Sequence, residues 1–185
     1  MRRSFLLLCG GLIVGMMNLA TGSMPIFSGE PVKAGVNDLK AVYIINFIRF
    51  TDWPGSEIEP SIQLKLPAAG ELQAVLQAIA AKPVAKQMNL HLSACSNATC
   101  VRKASALFIG KSSDNYKDWL AQCNGLPILT MSDIPGFARS GGMIEIKYDN
   151  NKLTFIVNVH AVRRAGLYIS AQLLQLGEIV GRENE

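Results

Sequence analysis

The chain has 185 residues, 49% of them hydrophobic, with 18 basic and 14 acidic side chains and a formal net charge of +4. That length fits one domain able to bury a core without structural metal or many disulfides. A charge so small and so dispersed excludes the basic stripe by which proteins hold nucleic acid.

Met1-Arg2-Arg3-Ser4 runs into a stretch from Phe5 to Leu19 that is apolar or small apart from Cys9 and Asn18, followed by Ala20-Thr21-Gly22-Ser23. A basic start, a short apolar core and a small-residue exit read as a secretory signal peptide over residues 1–23. An uncleaved anchor would need about 20 apolar residues, and the glycines and Asn18 speak against it. Leu8 stands where a lipoprotein signal needs a small residue before Cys9. The exported chain, 24–185, is read as a single domain. Losing Arg2 and Arg3 from the 18 basic residues leaves 16 against 14 acidic ones, a net of +2.

Residues 24 to 35 read as an extended arm. From Asn37 to Phe50 apolar residues recur at Leu39, Val42, Tyr43, Phe47 and Phe50, with Asn37 or Asp38 as cap, which predicts a helix with one buried stripe. Trp53-Pro54-Gly55 stops it, because proline disfavours helical geometry just before itself. Ile62, Leu64 and Leu66 alternate as a strand. Leu72, Val75, Leu76 and Ile79 mark a helix over 70–81, and Met88 to Leu92 a second strand. Ala104 to Gly110 reads as a buried strand ending on glycine. A helix capped by Ser113 or Asp114 runs through Trp119 to Gln122, and Leu126 to Thr130 is a further strand.

Residues 131 to 142 form a loop. Met143 to Tyr148 and Leu153 to Val157 flank a polar turn and make a hairpin. Asn158 to Arg164 is a short helix with Gly166 as its left-handed terminator. Ser170 caps a last helix that buries Leu173, Leu174, Leu176, Ile179 and Val180. Alternating helices and strands followed by a hairpin predict an α/β fold: a mixed sheet of about six strands flanked by helices, with a C-terminal hairpin and helix.

Cys9 leaves with the signal peptide, so Cys95, Cys100 and Cys123 remain, and export favours at least one disulfide. Spacing allows Cys95–Cys100 or Cys100–Cys123, because the placement of the Cβ atoms decides. Cys95–Cys100 is the preferred pair, with Cys123 free or an alternative partner. No CxxC and no neighbouring histidine suggest zinc, and no metal or cofactor is expected. His91 and His160 lack the Ser, Cys or carboxylate partner of an acid–base or nucleophilic centre. GxSxG and HExxH are absent. An enzyme would rest on Cys123 or His160 alone, so a binding module is the better reading.

Gly141-Gly142 lacks the Lys-Ser/Thr of a phosphate loop and reads as a place of positive φ or close packing. Arg49, Arg163 and Arg164 suit recognition of carboxylate or phosphate through paired hydrogen bonds, although each alone suits a solvated helix face. Trp53 and Tyr168 sit at changes of chain direction, where aromatic residues serve cores and interfaces alike.

The ordered set Lys40-Ala41-Val42-Tyr43, Asn46-Phe47, Trp53-Pro54, Leu107-Phe108-Ile109, Asp133-Ile134-Pro135-Gly136-Phe137, Gly141-Gly142-Met143-Ile144, Val157-Asn158 and Arg163-Arg164-Ala165-Gly166-Leu167 resembles the YfiR family of exported bacterial proteins. The resemblance implies a periplasmic α/β protein, commonly a homodimer. It would restrain a membrane-bound diguanylate cyclase by holding its periplasmic domain, lowering cyclic-di-GMP and biofilm formation. It also implies tuning by disulfide state, but no cysteine lies between Phe137 and Met143, so a disulfide in that segment is closed to this chain. Arg163 through Leu174, including Tyr168 and Ser170, together with Trp53 would form the partner surface. The family also contains sensor domains of signalling kinases. The alternative is therefore a small-ligand sensor, with Arg49, Trp53 and Tyr168 lining a cleft where the Trp53 turn meets Gly166 to Ser170.

Overall fold

The structure is a computed structural model and describes residues 35–54, 61–67, 70–113, 115–150 and 152–181. The expected signal peptide and nearly all of the arm after it lie outside these residues.

Helix α1 (Val36–Arg49) starts one residue earlier than predicted, with Gly35 at its N-cap position. Asp38, expected as a cap, reaches back from the first turn to accept the Gly35 N–H at 2.8 Å. Its buried face is Ala41, Ile44, Ile45, Phe47 and Ile48, an i, i+3, i+4, i+7 stripe. The predicted stripe is rotated from this, and Val42 stands 48% exposed. The more continuous aliphatic row takes the core, and the aromatic residues Tyr43 and Phe50 pack at its margin.

After α1 come the short strand β1 (Thr51–Asp52), β2 (Ile62–Leu66), α2 (Glu71–Ala80), α3 (Pro83–Gln87) and β3 (Leu90–Ala94). The sequence reading missed α3, a single turn opened by its proline as that residue allows. It also placed β3 two residues early. Then follow α4 (Ala98–Val101), β4 (Ala106–Ile109), α5 (Tyr116–Cys123) and β5 (Leu129–Ser132). Helix α5 has Asn115 at its N-cap rather than Ser113, the alternative Asp114 lying outside the described residues, and β5 begins at Leu129, three residues into the segment predicted for it. The hairpin β6 (Ile144–Asp149) and β7 (Lys152–Asn158) leads to α6 (Val159–Arg164), β8 (Tyr168–Ile169), α7 (Ala171–Leu174) and β9 (Glu178–Val180).

The main sheet has the order β3-β2-β4-β5-β6-β7-β9, and β1 and β8 form a separate ribbon. Pairing is parallel from β3 through β6, antiparallel in the β6/β7 hairpin, and parallel again between β7 and β9. The fold is thus the expected mixed α/β sheet, with a seventh strand. That strand corrects the last helix, which is one turn long and ends before Gly177. An added Cβ at Gly177 would overlap the Phe155 ring, so the chain crosses tightly over β7 and Ile179 and Val180 pair as strand. Leu176, predicted buried, is 77% exposed.

Each face of the sheet carries its own core. Ala106 and Phe108 of β4 face the cluster of α1 and α2, while Leu107 and Ile109 face Cys95, Val101, Cys123 and Phe137. With helices on both sides, β4 is buried along its whole length, as parallel strands are. Gly142 shows why glycine is needed in the 133–143 loop: a Cβ there would collide with the buried Phe137 ring. The buried Glu145 holds the same loop, each carboxylate oxygen accepting a backbone N–H at 3.1 Å, from Gly136 and Ala138.

Candidate functional site

The end of α1 turns directly into β1. Phe50 N–H returns to Asn46 at 2.9 Å, and buried Thr51 donates its hydroxyl to the Phe47 carbonyl at 2.7 Å. Strand β1 then meets β8 antiparallel, with Thr51 opposite Ile169 and Asp52 opposite Tyr168. The Ser170 amide extends the ribbon by donating to the Phe50 carbonyl at 2.9 Å. On the other arm, α6 ends at Gly166, whose φ of +70° is the left-handed geometry predicted for it. Leu167 N–H returns to Val162 at 3.1 Å. The ribbon therefore brings the Trp53 turn beside Tyr168 and Ser170.

The side chains named from sequence fall into separate groups around it. Arg49 is exposed in the last turn of α1, with its guanidinium carbon 5.7 Å from the Phe50 ring centroid. A charge there complements the helix dipole. Trp53 is half-buried and donates its indole N–H to the Ser105 carbonyl at 3.2 Å, which ties the turn to the amino end of β4. Arg49 and Trp53 share a cavity of about 560 Å3 whose walls include Thr51, Asp52, Ile62 and Met88. This cavity lies at the amino ends of β2 and β3.

Arg163 and Tyr168 line a different cleft, of about 190 Å3, with Val159, Leu167 and Leu174. Tyr168 is 64% exposed. Arg164, the next residue on α6, lines neither. It borders a hollow of about 50 Å3 beside Cys123 and Gly141. Ser170 serves α7, its hydroxyl accepting the Leu173 N–H at 3.3 Å, so its polar group is already engaged. One cleft uniting Arg49, Trp53 and Tyr168 is therefore not what the ribbon builds.

Cys95 and Cys100 are joined, with Cα atoms 5.7 Å apart, and Cys123 is a free, buried thiol. Burial pushes the Cys123 thiol up to about 12, because a thiolate loses its hydration there. His91 lies exposed on β3, 3.1 Å from the Asn89 side-chain oxygen. Among the described residues no group of three or more His, Cys, Asp or Glu converges to hold a metal ion. No described helix is long and apolar enough to cross a membrane.

A profile of the YfiR/HmsC-like family matches residues 37–178, well over half of the chain. The protein belongs to the YfiR/HmsC-like family. The match spans α1 through the start of β9 and so takes in both arms of the ribbon. No curated protein matches the chain. Among solved structures, a conserved domain protein from Vibrio cholerae O1 biovar El Tor is similar at a TM-score of 0.51 and 10% identity. The similarity covers 78% of this chain and 60% of that one. The ABC domain in complex with L-Trp from Streptococcus pneumonia gives the same four figures: TM-score 0.51, 10% identity, 78% and 60%. At such identity the likeness is one of fold.

Sequence reasoning missed Lys40 and Asp133 as a pair. Lys40 on α1 and Asp133 after β5 form an ion pair, with side chains 14% and 9% exposed. Both residues belong to motifs quoted above, but nothing along the chain signals that they meet.

Proposed function

We propose that this protein is a periplasmic regulatory binding protein, not an enzyme, that restrains a membrane-bound diguanylate cyclase by holding the cyclase's periplasmic domain. The observation that carries this reading is the family match over residues 37–178. The partner surface would be the Trp53 turn and the segment from Arg163 to Leu174. Support comes from the cleft beside the ribbon, which Arg163 lines together with the exposed Tyr168. A rigid aromatic residue beside arginine is the composition from which interface hot spots are made.

Co-purification from membrane extract tests this. The wild type is expected to retain a cyclase, and the Arg163→Glu/Arg164→Glu variant to lose it while cyclic-di-GMP rises. Failure of the wild type to retain any cyclase would refute the reading.

A second reading, a small-ligand sensor, is favoured by the 560 Å3 cavity of Arg49 and Trp53, within the usual range for ligand sites. A thermal-shift screen with amino acids, nucleotides and aromatic acids tests it, with Arg49→Ala as control. A ligand at a hundredfold excess over its Kd would add ~2.7 kcal/mol of stability. A flat screen leaves the first reading alone.

A further inference from the structure

At the opposite end of the sheet from the ribbon, a cavity of about 390 Å3 opens where the parallel strands finish. Leu66 is the last residue of β2, Gly110 follows β4, and Asp133 follows β5; all three line it, with Lys40 of α1. The strand order explains the opening. From β2 the chain leaves through α2 to β3 on one side, whereas from β4 it leaves through α5 to β5 on the other. Helix α2 packs on one face of the sheet and α5 on the other. Such a reversal leaves a crevice between two strands at their carboxyl ends, where open α/β sheets bind ligands.

Apart from the second oxygen of the exposed Glu71 and the Ser112 hydroxyl, the hydrogen-bonding capacity left over in this crevice is that of donors. Asp133 is engaged on both oxygens: Oδ2 accepts the Lys40 ammonium, and Oδ1 accepts the Lys111 backbone N–H at 3.0 Å. Glu71 accepts from the Asn37 amide at 3.1 Å. An ammonium carries three N–H donors, and Lys40, largely buried, has only Asp133 as partner among the described residues. The exposed Lys111 adds a second cation at the mouth. Leu66, Leu72 and Phe108 supply apolar wall. The Lys40 ammonium has donors to spare beyond Asp133, and a single carboxylate would accept from it and from Lys111 at once. A dianion such as phosphate would instead face the acids already present.

We propose that this crevice binds a small organic carboxylate. Its oxygens accept from Lys40 and Lys111, and its apolar body packs on Leu66, Leu72 and Phe108. The proposal does not depend on the cyclase partner.

Titration calorimetry on the purified protein tests it with phenylacetate, hexanoate, neutral phenylacetamide and inorganic phosphate. Lys111→Gln removes a surface cation and leaves the fold alone. Gly110→Leu fills the crevice; a Cβ at Gly110 meets only ordinary contacts, 3.7 Å to Phe108 and 3.9 Å to the Ser112 hydroxyl. The two carboxylates are expected to bind and the amide not to. Lys111→Gln should weaken binding about tenfold, as for one charge-assisted hydrogen bond, and Gly110→Leu should abolish it. No heat from either carboxylate at millimolar concentration would overturn the proposal. So would undiminished binding in Lys111→Gln, or phosphate binding as tightly as the carboxylates.

Discussion

Ser170 and Phe50 meet through one backbone hydrogen bond, the Ser170 amide donating to the Phe50 carbonyl over 2.9 Å. It closes the ribbon in which Asp52 faces Tyr168 and links the end of α1 to the C-terminal part of the chain. Ser170 has φ −60° and ψ 145°, a geometry proline adopts without strain. Ser170→Ala loses the cap on Leu173 and should cost about 1 kcal/mol. Ser170→Pro loses the cap and the amide together, and should cost about 1 kcal/mol more. Urea denaturation of both variants measures the difference, and equal stabilities would mean that the ribbon bond contributes nothing.

Gly142 and Gly166 should respond differently to alanine. At Gly142 the methyl group would enter the buried Phe137 ring, and overpacking of this kind costs about 2–3 kcal/mol. At Gly166 there is open space and a φ of +70°, so only the left-handed backbone opposes alanine, by about 1 kcal/mol. Chemical denaturation of the two variants side by side gives the order. A milder effect at Gly142 would contradict the packing described for Phe137.

The cysteines make a redox and a pH prediction. The Cys95–Cys100 loop spans a sequence separation of 5, and closing so short a loop stabilises by about 2 kcal/mol. Cys95→Ala/Cys100→Ala should therefore still fold. Cys123 should resist thiol reagents in the folded protein and react on unfolding.

The Cys123 thiol is raised from 9.0 to about 12, so the folded state keeps its proton over a range where the unfolded chain releases it. Below pH 9 there is no penalty. From there to about 12, stability falls by up to ~1.4 kcal/mol per pH unit. Cys123→Ala should show a flatter profile between pH 8 and 10. Identical slopes would show that the thiol is not shielded.

Lys40→Met would leave the Asp133 carboxylate buried with one backbone N–H as its only remaining partner among the described residues. Orphaning one member of a buried pair costs about 3 kcal/mol, far more than an exposed lysine change such as Lys103→Met. Melting curves at neutral pH compare the two. A cost near zero would mean that water replaces the ammonium without loss.

How far the residues alone reach can be judged at particular places. Alternation in Ile62-Gln63-Leu64-Lys65-Leu66 marks a strand, and the strand is there, because one face meets α1 and α2 while the other is only half-covered. Gly166 and Ser170 carry local signals, a missing Cβ and a short hydroxyl, and each ends or starts a helix as read. Val42 fits the sequence pattern yet lies exposed, because two overlapping stripes compete on α1 and only the facing sheet selects between them. Ile179 and Val180 continue a helical period in the sequence but form strand β9. Their strand geometry comes from the open edge of β7, which no local propensity reports.

The same division separates what each level determined about function. Residue types and their order specified the α/β class, the alternation of elements, the capping and turn positions and the family. These depend on short-range sterics and on the period of apolar residues. Folding in three dimensions decided which polar groups meet. It placed Arg49 and Trp53 on one cavity, Arg163 and Tyr168 on another and Arg164 on neither, and it joined Lys40 to Asp133 at the carboxyl ends of the strands. Contacts between distant segments follow from strand order and from which face each helix covers, and a linear pattern does not encode these one residue at a time.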